Sequence, residues 1–406
     1  MIFYPLALKN PKDLAALLRR VGADLRSLAY FEPKRHTLAL MLPEADYRAA
    51  AFLKQELLAR GGDAVVNRGV IACEAKTSPV LLLGTPGQLR ALRKKLDAMD
   101  CWGLKEIRRA LSEALDGLGR TSWTLRLSGG RSLSLGETTG MMAILNLTPD
   151  SFYAGSRIDP ASEKALLEKA GSFLAAGAAV LDLGGESTRP GSEPISEEEE
   201  AARLIPALRA VRRAFPEAVL SADTWKASLA RKAVEAGADI INDISGLAFD
   251  PALMKAAAET GALLVLSHIQ GRPADMQKNP VYKNTVEDIL TYFDERLAAA
   301  EDGGISRERI ILDPGLGFGK GYGDNLKILR HIGAFRIFGR PLLVGHSRKG
   351  FTGRGSGTEG ADERLEGTLA VTAWCALAGV SLVRVHDLEE NRRVLAMIEA
   401  ISGMGE

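Results

Sequence analysis

The chain has 406 residues, of which 52 are Lys or Arg and 51 are Asp or Glu, so its formal net charge is only +1. This balance provides no overall field for nucleic acid or an anionic membrane, and we predict neither as a partner. The three cysteines show no CxxC or Cys/His spacing, which argues against a disulfide framework and a structural zinc site. We find no signal peptide and no run of about 20 apolar residues, and therefore expect a cytoplasmic protein.

The first 120 residues predict a small α+β domain. Strands are expected in HTLALML, DAVVNRGVI and PVLLLGTP, and helices in DYRAAAFLKQELLARGG and GQLRALRKKLDAM, which gives the order βαββα. A further helix, LKEIRRALSEAL, precedes a linker, DGLGRT. We therefore place a domain boundary at residue 120, with a domain of unassigned role at 1–120.

The next segment, residues 123–135, predicts a β-hairpin that turns at Gly129–Gly130. From residue 141 onward, short runs of Val, Ile and Leu alternate with longer segments of helical periodicity. Helix starts are predicted at Asp159–Pro160, at Asp250–Pro251 and at Ser196. The apolar runs predict eight strands: MMAILNLT, AVLDLGG, VLSADT, IINDIS, LLVLSHI, IILDPG, PLLVGHS and LVRVHD.

Eight strands that alternate with helices imply a parallel sheet, and their nearly continuous apolar character implies that both faces of the sheet are covered. Eight such repeats in about 265 residues suit a (β/α)8 barrel, which typically takes about 250. We therefore predict an α/β fold in which residues 121–406 form a TIM barrel, with the hairpin closing its bottom. A doubly wound open sheet is the alternative. It is less favoured because polar residues follow every strand rather than one switch point.

The active site of such a barrel lies at the C-terminal ends of its strands. Asp182, Asp223, Asn242 and Asp313 lie there, within or at the end of buried runs. Because an unpaired buried polar group costs about 1–3 kcal/mol, we expect these side chains to converge on a ligand that supplies hydrogen-bond donors. An aminopyrimidine edge meets that requirement.

Three other polar residues at strand ends have simpler interpretations. We interpret Asp243 and Asp387 as helix caps rather than catalytic groups. For His268 two interpretations stay open, namely a strand cap and a member of the site.

A second group of residues predicts an anion pocket. Arg384 and His386 alternate on the last strand, so they point to the same face of the sheet. Together with Asn146 and nearby backbone N–H groups they can bind a phosphate, and Arg348 and Lys349 add charge beside it. The sequence therefore predicts a heterocycle pocket that adjoins a phosphate pocket.

The residues that carry these predictions lie in motifs that resemble dihydropteroate synthase from about residue 122 to the C-terminus. The family is a (β/α)8 barrel enzyme of folate synthesis, usually a homodimer. The resemblance implies a transferase that joins 6-hydroxymethyl-7,8-dihydropterin pyrophosphate to p-aminobenzoate and releases pyrophosphate. The motifs occur in family order: ILNLTPDSF, DLGGESTRPG, SADTWKA, INDISG, HIQGRP, ILDPGLGFGK, VGHSRKGF, GTLA and VRVHD.

The resemblance also implies roles for individual residues. The pterin-binding residues are Asp182, Asp223, Asn242, Asp313 and Lys349. The pyrophosphate-binding residues are Asn146, Arg384 and His386, with Mg²⁺ as cofactor and Asn146 as its ligand. The residues of the mobile loops and of the p-aminobenzoate site are Asp150, Thr188, Arg189, Pro190, Phe318 and Gly350. The catalytic residues are Asp223, Asp313, Lys349, Arg384 and His386.

The implied mechanism begins with departure of pyrophosphate and gives a pterin cation, which the aromatic amine then attacks. Asp223 and Asp313 stabilise the cation, and loop closure excludes water. The chain departs from the family pattern at Ile269, where Met is common, at Gly350, where Ser or Arg is common, and at Tyr153 and Ala154 in the first loop.

Two alternative functions remain open at this stage. One is a barrel that binds methyltetrahydrofolate and passes its methyl group to a corrinoid. The other is a non-catalytic pterin-binding protein. The motifs STRPG, SRK and RVHD favour the synthase over both, because they supply the loop and anion-binding residues that the alternatives do not need.

Overall fold

The computed structural model describes residues 8, 11–147, 162–189, 191–358 and 360–403. The chain divides into two compact units. The first comprises Met1–Gly119 together with Ser402–Glu406, and the second comprises Arg120–Ile401.

The first unit is an α+β structure with a three-stranded antiparallel sheet of order β1-β3-β2. The predicted order βαββα and the further helix are confirmed, and two helices that the sequence analysis did not predict precede them. Its core is formed by small and aliphatic side chains from the sheet and from α3, α4 and α5. The elements are α1 Pro11–Val21, α2 Leu28–Phe31, β1 Leu38–Asp46, α3 Tyr47–Leu58, β2 Asp63–Val66, β3 Thr77–Gly84, α4 Pro86–Leu96 and α5 Leu104–Gly119.

The second unit contains the predicted barrel. All eight strands are parallel, and the sheet order is β11-β10-β9-β8-β7-β6-β13-β12. A bridge between Leu312 and Leu342 joins the two end strands, so the barrel is nearly closed. The strands are β6 Gly140–Asn146, β7 Val180–Gly184, β8 Leu220–Asp223, β9 Ile240–Asp243, β10 Leu263–Ser267, β11 Ile310–Asp313, β12 Leu343–Gly345 and β13 Leu382–Val385.

Helices cover the outside of the barrel, and a layer of apolar side chains lies between them and the strands. The strands therefore have one face toward this layer and one toward the barrel interior, as their continuous hydrophobicity predicts. The helices are α6 Glu163–Ala175, α7 Glu197–Ala214, α8 Ala227–Glu235, α9 Leu253–Thr260, α10 Thr285–Asp302, α11 Tyr322–Arg330, α12 Gly350–Ser356, α13 Leu365–Leu377 and α14 Leu388–Gly403.

A hairpin of β4 Trp123–Arg126 and β5 Ser132–Leu135 precedes the barrel and turns through Gly129 and Gly130, both with positive φ. Its apolar face packs against the side chains that fill the barrel at the N-terminal ends of the strands, including Met142 and Leu343. The Nε1 atom of Trp123 donates a hydrogen bond to the carbonyl of Gly339, at 2.9 Å. This end of the barrel is thus closed, which leaves the opposite end for a site.

The helix starts agree in part with the prediction. Ser196 caps α7 by accepting a hydrogen bond from the Glu199 backbone N–H. The helix predicted to start at Pro251 begins two residues later, although the Asp250 side chain still accepts a hydrogen bond from the Ala252 N–H. Residues 159–160 lie outside the described residues, and Ser162 caps the helix that follows them.

No helix in the described parts of the chain combines the length and the hydrophobicity that a bilayer-spanning segment requires.

Candidate active site

A cavity of about 360 Å³ opens at the C-terminal ends of the barrel strands. This is the end of the barrel where the strand-end residues were predicted to meet. The predicted site residues that line the cavity are Asn146, Thr188, Arg189, Asp223, Phe318, Lys349, Gly350, Arg384 and His386. Asp182, Asn242 and Asp313 are buried next to it, whereas Asp150 and Pro190 lie outside the described residues.

Arg384 binds two of the predicted carboxylates at once. Its Nε atom lies 2.6 Å from Oδ2 of Asp182, and its Nη2 atom lies 2.7 Å from Oδ2 of Asp223. Asp182 has no exposed surface and also accepts a hydrogen bond from Nδ2 of Asn242, at 3.2 Å. Asp182 therefore lies behind the cavity wall, where it holds Arg384 and Asn242. Burial raises the pKa of Asp223 to about 7, although Arg384 opposes the shift.

Asp313 and Arg384 approach each other at Gly345, the last residue of β12, and the charge of Lys349 acts on Asp313. A Cβ atom added to Gly345 would lie 3.9 Å from Oδ2 of Asp313 and 3.9 Å from Cβ of Arg384. Burial raises the pKa of Asp313, and the Lys349 charge opposes that shift. Loss of hydration lowers the pKa of Lys349 to about 8. The site therefore places acids and cations in contact, with two groups whose pKa values lie close to neutrality.

The loop that follows β11 carries Phe318 into the cavity. Its glycines 315, 317 and 319 all have positive φ, and a Cβ on Gly319 would lie 2.2 Å from the carbonyl oxygen of Gln270. Four successive backbone carbonyls of this loop each accept a hydrogen bond from a side chain. The pairs are Leu316 with Lys349, Gly317 with Gln277, Phe318 with Lys320 and Gly319 with Tyr282. The loop is therefore held in one conformation from several directions.

His268 helps to hold the loop that carries Phe318 and does not act as a strand cap. Its Nδ1 atom lies 2.8 Å from Nζ of Lys320, a residue whose side chain lines the cavity but is almost completely buried. Burial, together with the Lys320 charge, lowers the pKa of His268 to about 2, so the imidazole is neutral and its Nδ1 atom accepts the hydrogen bond. His268 thus positions Lys320, which in turn holds Phe318.

His386 is neutral at physiological pH. Its Nδ1 atom lies 2.9 Å from Oγ of Ser347, and burial with the neighbouring charge of Arg384 lowers the pKa of His386 to about 3. In the tautomer in which Ser347 donates to Nδ1, Nε2 carries the proton, so the ring can donate a hydrogen bond to an anion but contributes no charge to it. Arg384 and Lys349 remain as the cations beside it.

Arg348 does not add charge to the anion pocket as the sequence analysis expected. Its Nε and Nη2 atoms each lie 2.8 Å from a carboxylate oxygen of Asp387, and both side chains are almost completely buried. This bidentate pair neutralises the guanidinium. It also occupies the Asp387 side chain, which was expected to cap a helix. Asp243, which was also expected to cap a helix, caps a turn instead, because it accepts hydrogen bonds from the N–H groups of Ser245 and Leu247.

The segment with the motif ESTRPG is attached to the barrel through Glu186. This carboxylate accepts hydrogen bonds from Nε1 of Trp225 and from the backbone N–H of Ile195, and it lies 3.4 Å from Nζ of Lys226. Lys226 also binds Glu200, which has no exposed surface. Thr188 and Arg189 then reach the cavity. Neither Glu186 nor Lys226 was among the predicted site residues, although both lie inside the motifs DLGGESTRPG and SADTWKA.

Other cavity residues were also missed. Met276 and Gln277 come from the long segment between β10 and α10, and Tyr322 and Arg354 come from the first turn of α11 and from α12. Gln277 and Lys278 are adjacent polar residues just downstream of the HIQGRP motif, and this position was the sequence feature that could have indicated Gln277. Its role depends on a contact with Gly317, which lies 40 residues away in the sequence.

Among the described residues, no group of three or more His, Cys, Asp or Glu side chains is arranged to hold a metal ion. Asn146 lines the cavity and offers an amide oxygen, a ligand type that Mg²⁺ accepts. Mg²⁺ commonly takes few protein ligands and completes its shell with substrate phosphates and water. The donor set therefore fits a magnesium ion that arrives with a diphosphate, rather than one held by the protein alone.

Comparison with known proteins agrees with this site. A model of the pterin binding enzyme family matches residues 142–386. The dihydropteroate synthase of Escherichia coli K12 is 41% identical over 271 residues, which cover 67% of this chain and 94% of that protein. A crystal structure of Xanthomonas albilineans dihydropteroate synthase with 4-aminobenzoic acid is 36% identical, with a TM-score of 0.63, and covers 70% of this chain and 100% of its own.

A third relative extends beyond the barrel. A probable bifunctional folylpolyglutamate synthase/dihydropteroate synthase of Halobacterium salinarum is 39% identical over 353 residues, or 87% of this chain and 42% of that protein. This match is longer than the unit Arg120–Ile401, so it includes part of the first unit. From the matched motifs, the barrel and the site, the chain belongs to the dihydropteroate synthase family, transferases of folate biosynthesis.

Proposed function

We propose that the cavity binds 6-hydroxymethyl-7,8-dihydropterin pyrophosphate beside p-aminobenzoate, and that the chain joins the two with release of pyrophosphate. One observation carries the proposal. Arg384 lies 2.7 Å from Asp223 and approaches Asp313 at Gly345, and Lys349 lines the same cavity, so carboxylates and cations adjoin in one site. A pterin needs the first and a diphosphate the second.

In this proposal Asp223, Asn242 and Asp313 accept hydrogen bonds from the N–H groups of the aminopyrimidine edge. Lys349 donates to an acceptor on the pterin ring. Asp182 takes part through Arg384 and Asn242, because it has no exposed surface of its own. It is therefore a positioning residue rather than a catalytic one.

The diphosphate lies against Arg384, His386 and Asn146. Arg384 supplies a fixed positive charge, and the neutral His386 donates one hydrogen bond. Asn146 would hold the magnesium ion, which when bound neutralises negative charge that develops on the departing pyrophosphate. Phosphate oxygens and water would supply its other ligands.

The p-aminobenzoate ring lies against Phe318, whose carbonyl is held by Lys320 at 3.0 Å. Thr188, Arg189 and Gly350 line the same cavity. Asp150 and Pro190, which the family resemblance implies for the loops at this site, lie outside the described residues. Closure excludes water, which would otherwise compete with the aromatic amine.

The reaction replaces a carbon–oxygen bond with a carbon–nitrogen bond. The bond between the exocyclic carbon of the pterin and the pyrophosphate oxygen breaks, and pyrophosphate leaves with the electron pair. The carboxylates of Asp223 and Asp313 stabilise the positive charge left on the pterin. The amine nitrogen of p-aminobenzoate then attacks the carbon and loses a proton to solvent, which gives 7,8-dihydropteroate without any protein nucleophile.

The direct test is turnover by the purified chain. The pterin pyrophosphate, p-aminobenzoate and Mg²⁺ are supplied, and pyrophosphate and dihydropteroate are measured together. We expect both products in equal amounts, and we expect Lys349→Ala to reduce turnover strongly while the exposed Lys255→Ala leaves it unchanged. Methyl transfer to a corrinoid protein, or pterin binding without turnover, would contradict the proposal.

We also propose that the chain acts as a cytoplasmic homodimer. Leu326, Trp374 and Leu377 are 42%, 51% and 56% exposed, on helices α11 and α13. Trp374 joins these helices by a hydrogen bond to the carbonyl of Leu329, at 2.7 Å. A second copy of the chain would cover this apolar face. Sedimentation velocity should give a dimer for the wild type and a monomer for Trp374→Glu.

The two-domain organisation predicted from the sequence, 1–120 and 121–406, remains part of this proposal. The first domain has no assigned role. Limited proteolysis that cuts first near residue 120 and leaves a resistant barrel fragment would support it.

A further inference from the structure

The wall of the cavity has a gap at Gly350, the first residue of α12. A Cβ atom added to this glycine would meet no atom within 4 Å, so the space next to it is open. The family pattern commonly provides a polar side chain here. In this chain the position offers no side-chain group to the carboxylate of p-aminobenzoate. Removing a carboxylate from water without giving it a hydrogen-bonding or charged partner costs substantial free energy.

Arg354 lies four residues further along α12 and lines the same cavity. Four residues are about one turn, or about 6 Å along the helix axis, so Arg354 lies on the same face of the helix as Gly350. Its guanidinium lies 4.6 Å from the ring centroid of Tyr322, another cavity residue. This contact orients the planar group without consuming its hydrogen-bond donors.

No carboxylate in the described part of the chain pairs with Arg354, in contrast to the arginines beside it. Arg384 is paired with Asp182 and Asp223, and Arg348 is paired with Asp387. Among the residues that the structure describes, Arg354 has no carboxylate partner. It is also exposed, whereas Arg348 is buried. An exposed, oriented guanidinium that no described carboxylate neutralises is suited to bind an anion that enters from solvent.

The direction of the second substrate is set by the reaction. Its amine must reach the carbon next to the pyrophosphate, which lies by Arg384 and His386. In the proposed function its ring lies against Phe318, so the carboxylate at the far end of the ring would point toward the exposed side of the cavity. Arg354 lies on this side.

We propose that Arg354, oriented by Tyr322, binds the carboxylate of p-aminobenzoate in this chain and takes over the function of a side chain at position 350. The inference rests on the proposed synthase function. It assigns to Arg354 the selection of second substrates that carry a carboxylate para to the amine. Neutral analogues gain nothing from this contact. The charge on the second substrate is thus recognised by a residue of α12 outside the SRK motif.

The test is steady-state kinetics of Arg354→Gln, with Arg354→Lys as the charge-conserving variant. We expect Arg354→Gln to raise KM for p-aminobenzoate about tenfold, which corresponds to about 1.4 kcal/mol, while kcat and KM for the pterin substrate stay within about twofold. Arg354→Lys should lie between the variant and the wild type. Arg392→Gln, an exposed arginine on α14 that does not line the cavity, is the matched control and should leave all constants unchanged.

A neutral substrate analogue separates carboxylate recognition from a general effect on the cavity. 4-Aminobenzamide should show the same KM with the wild type and with Arg354→Gln. Adding Gly350→Ser to Arg354→Gln should lower KM for p-aminobenzoate again, because the serine hydroxyl enters the open space.

Three outcomes contradict these expectations, and they differ in what they overturn. A wild-type chain that forms no dihydropteroate overturns the synthase function and this inference with it. An active wild type with an unchanged KM for p-aminobenzoate in Arg354→Gln overturns the inference alone. So does an equal rise in KM for the acid and for the amide, because the lost contact then does not involve the carboxylate.

Discussion

The Nη2 atom of Arg384 lies 2.7 Å from Oδ2 of Asp223, and both side chains line the cavity at the mouth of the barrel. The same guanidinium holds the fully buried Asp182 through its Nε atom. Arg384 therefore has two functions, because it compensates two acids in the unliganded protein and presents a positive charge to the diphosphate. Replacing it should affect stability as well as activity.

We expect Arg384→Met to lower the free energy of unfolding by about 3 kcal/mol, because it leaves Asp182 buried without a charged partner. Turnover should be lost as well. Urea-induced unfolding followed by circular dichroism measures the first effect and product formation the second. Arg392→Met is the surface control. A variant that is inactive but as stable as the wild type would show that Asp182 does not depend on Arg384.

The pH dependence of kcat/KM for the pterin substrate should be bell-shaped. The pKa of Asp223 is raised to about 7, so the carboxylate that stabilises the pterin forms as the pH rises through this value, and activity increases. The pKa of Lys349 is lowered to about 8, so its ammonium is lost as the pH rises further, and activity decreases. The profile reports groups of the free enzyme.

The pH profile of the residual activity of Lys349→Arg tests whether Lys349 causes the decrease at high pH, because arginine stays protonated throughout this range. We expect the decrease above about pH 8 to disappear in this variant while the acid limb stays. A wild-type profile that is flat between pH 6 and pH 9 would contradict both assignments.

Gly319→Ala should displace the loop that carries Phe318. The new Cβ would lie 2.2 Å from the carbonyl oxygen of Gln270, and the positive φ of this residue adds strain. We expect KM for p-aminobenzoate to rise at least tenfold. Gly323→Ala is the control, since a Cβ there meets nothing within 4 Å, and it should behave as the wild type. Equal kinetics for the two variants would argue against a loop held in one conformation.

Removal of divalent cations should abolish turnover without lowering the melting temperature of the ligand-free protein. The described residues contain no acidic or histidine cluster that could hold a metal by itself, so the ion contributes only when the diphosphate is present. Excess EDTA followed by titration with Mg²⁺ tests this expectation. Asn146→Ala should raise the Mg²⁺ concentration needed for half-maximal rate, and an unchanged requirement would remove Asn146 as a ligand.

Trp123→Ala should destabilise the barrel although it is remote from the chemistry. The indole is 5% exposed, packs at the closed end of the barrel and donates a hydrogen bond to Gly339. Loss of a buried tryptophan costs about 3–5 kcal/mol, because a cavity remains. Denaturant unfolding compares this variant with Thr124→Ala, which removes an exposed side chain from the same strand. Equal stabilities would contradict the role of the hairpin.

The sequence alone determined the barrel and the location of its site. Continuous apolar runs separated by amphipathic segments permit a parallel sheet covered on both faces, and the C-terminal ends of parallel strands meet at one end. Asp223, Asn242 and Asp313 could therefore be assigned to one region without coordinates. Such assignments depend only on the local sequence pattern of each strand and on the shared direction of parallel strands.

Only the tertiary structure decided which charges remain available. Arg384 and Asp182 are 202 residues apart, and Arg348 and Asp387 are 39 apart, so neither ion pair can be read from local sequence. The neutral state of His386 likewise depends on its burial beside Arg384. Ionisation and pairing depend on distance and hydration in three dimensions, and a linear pattern contains neither.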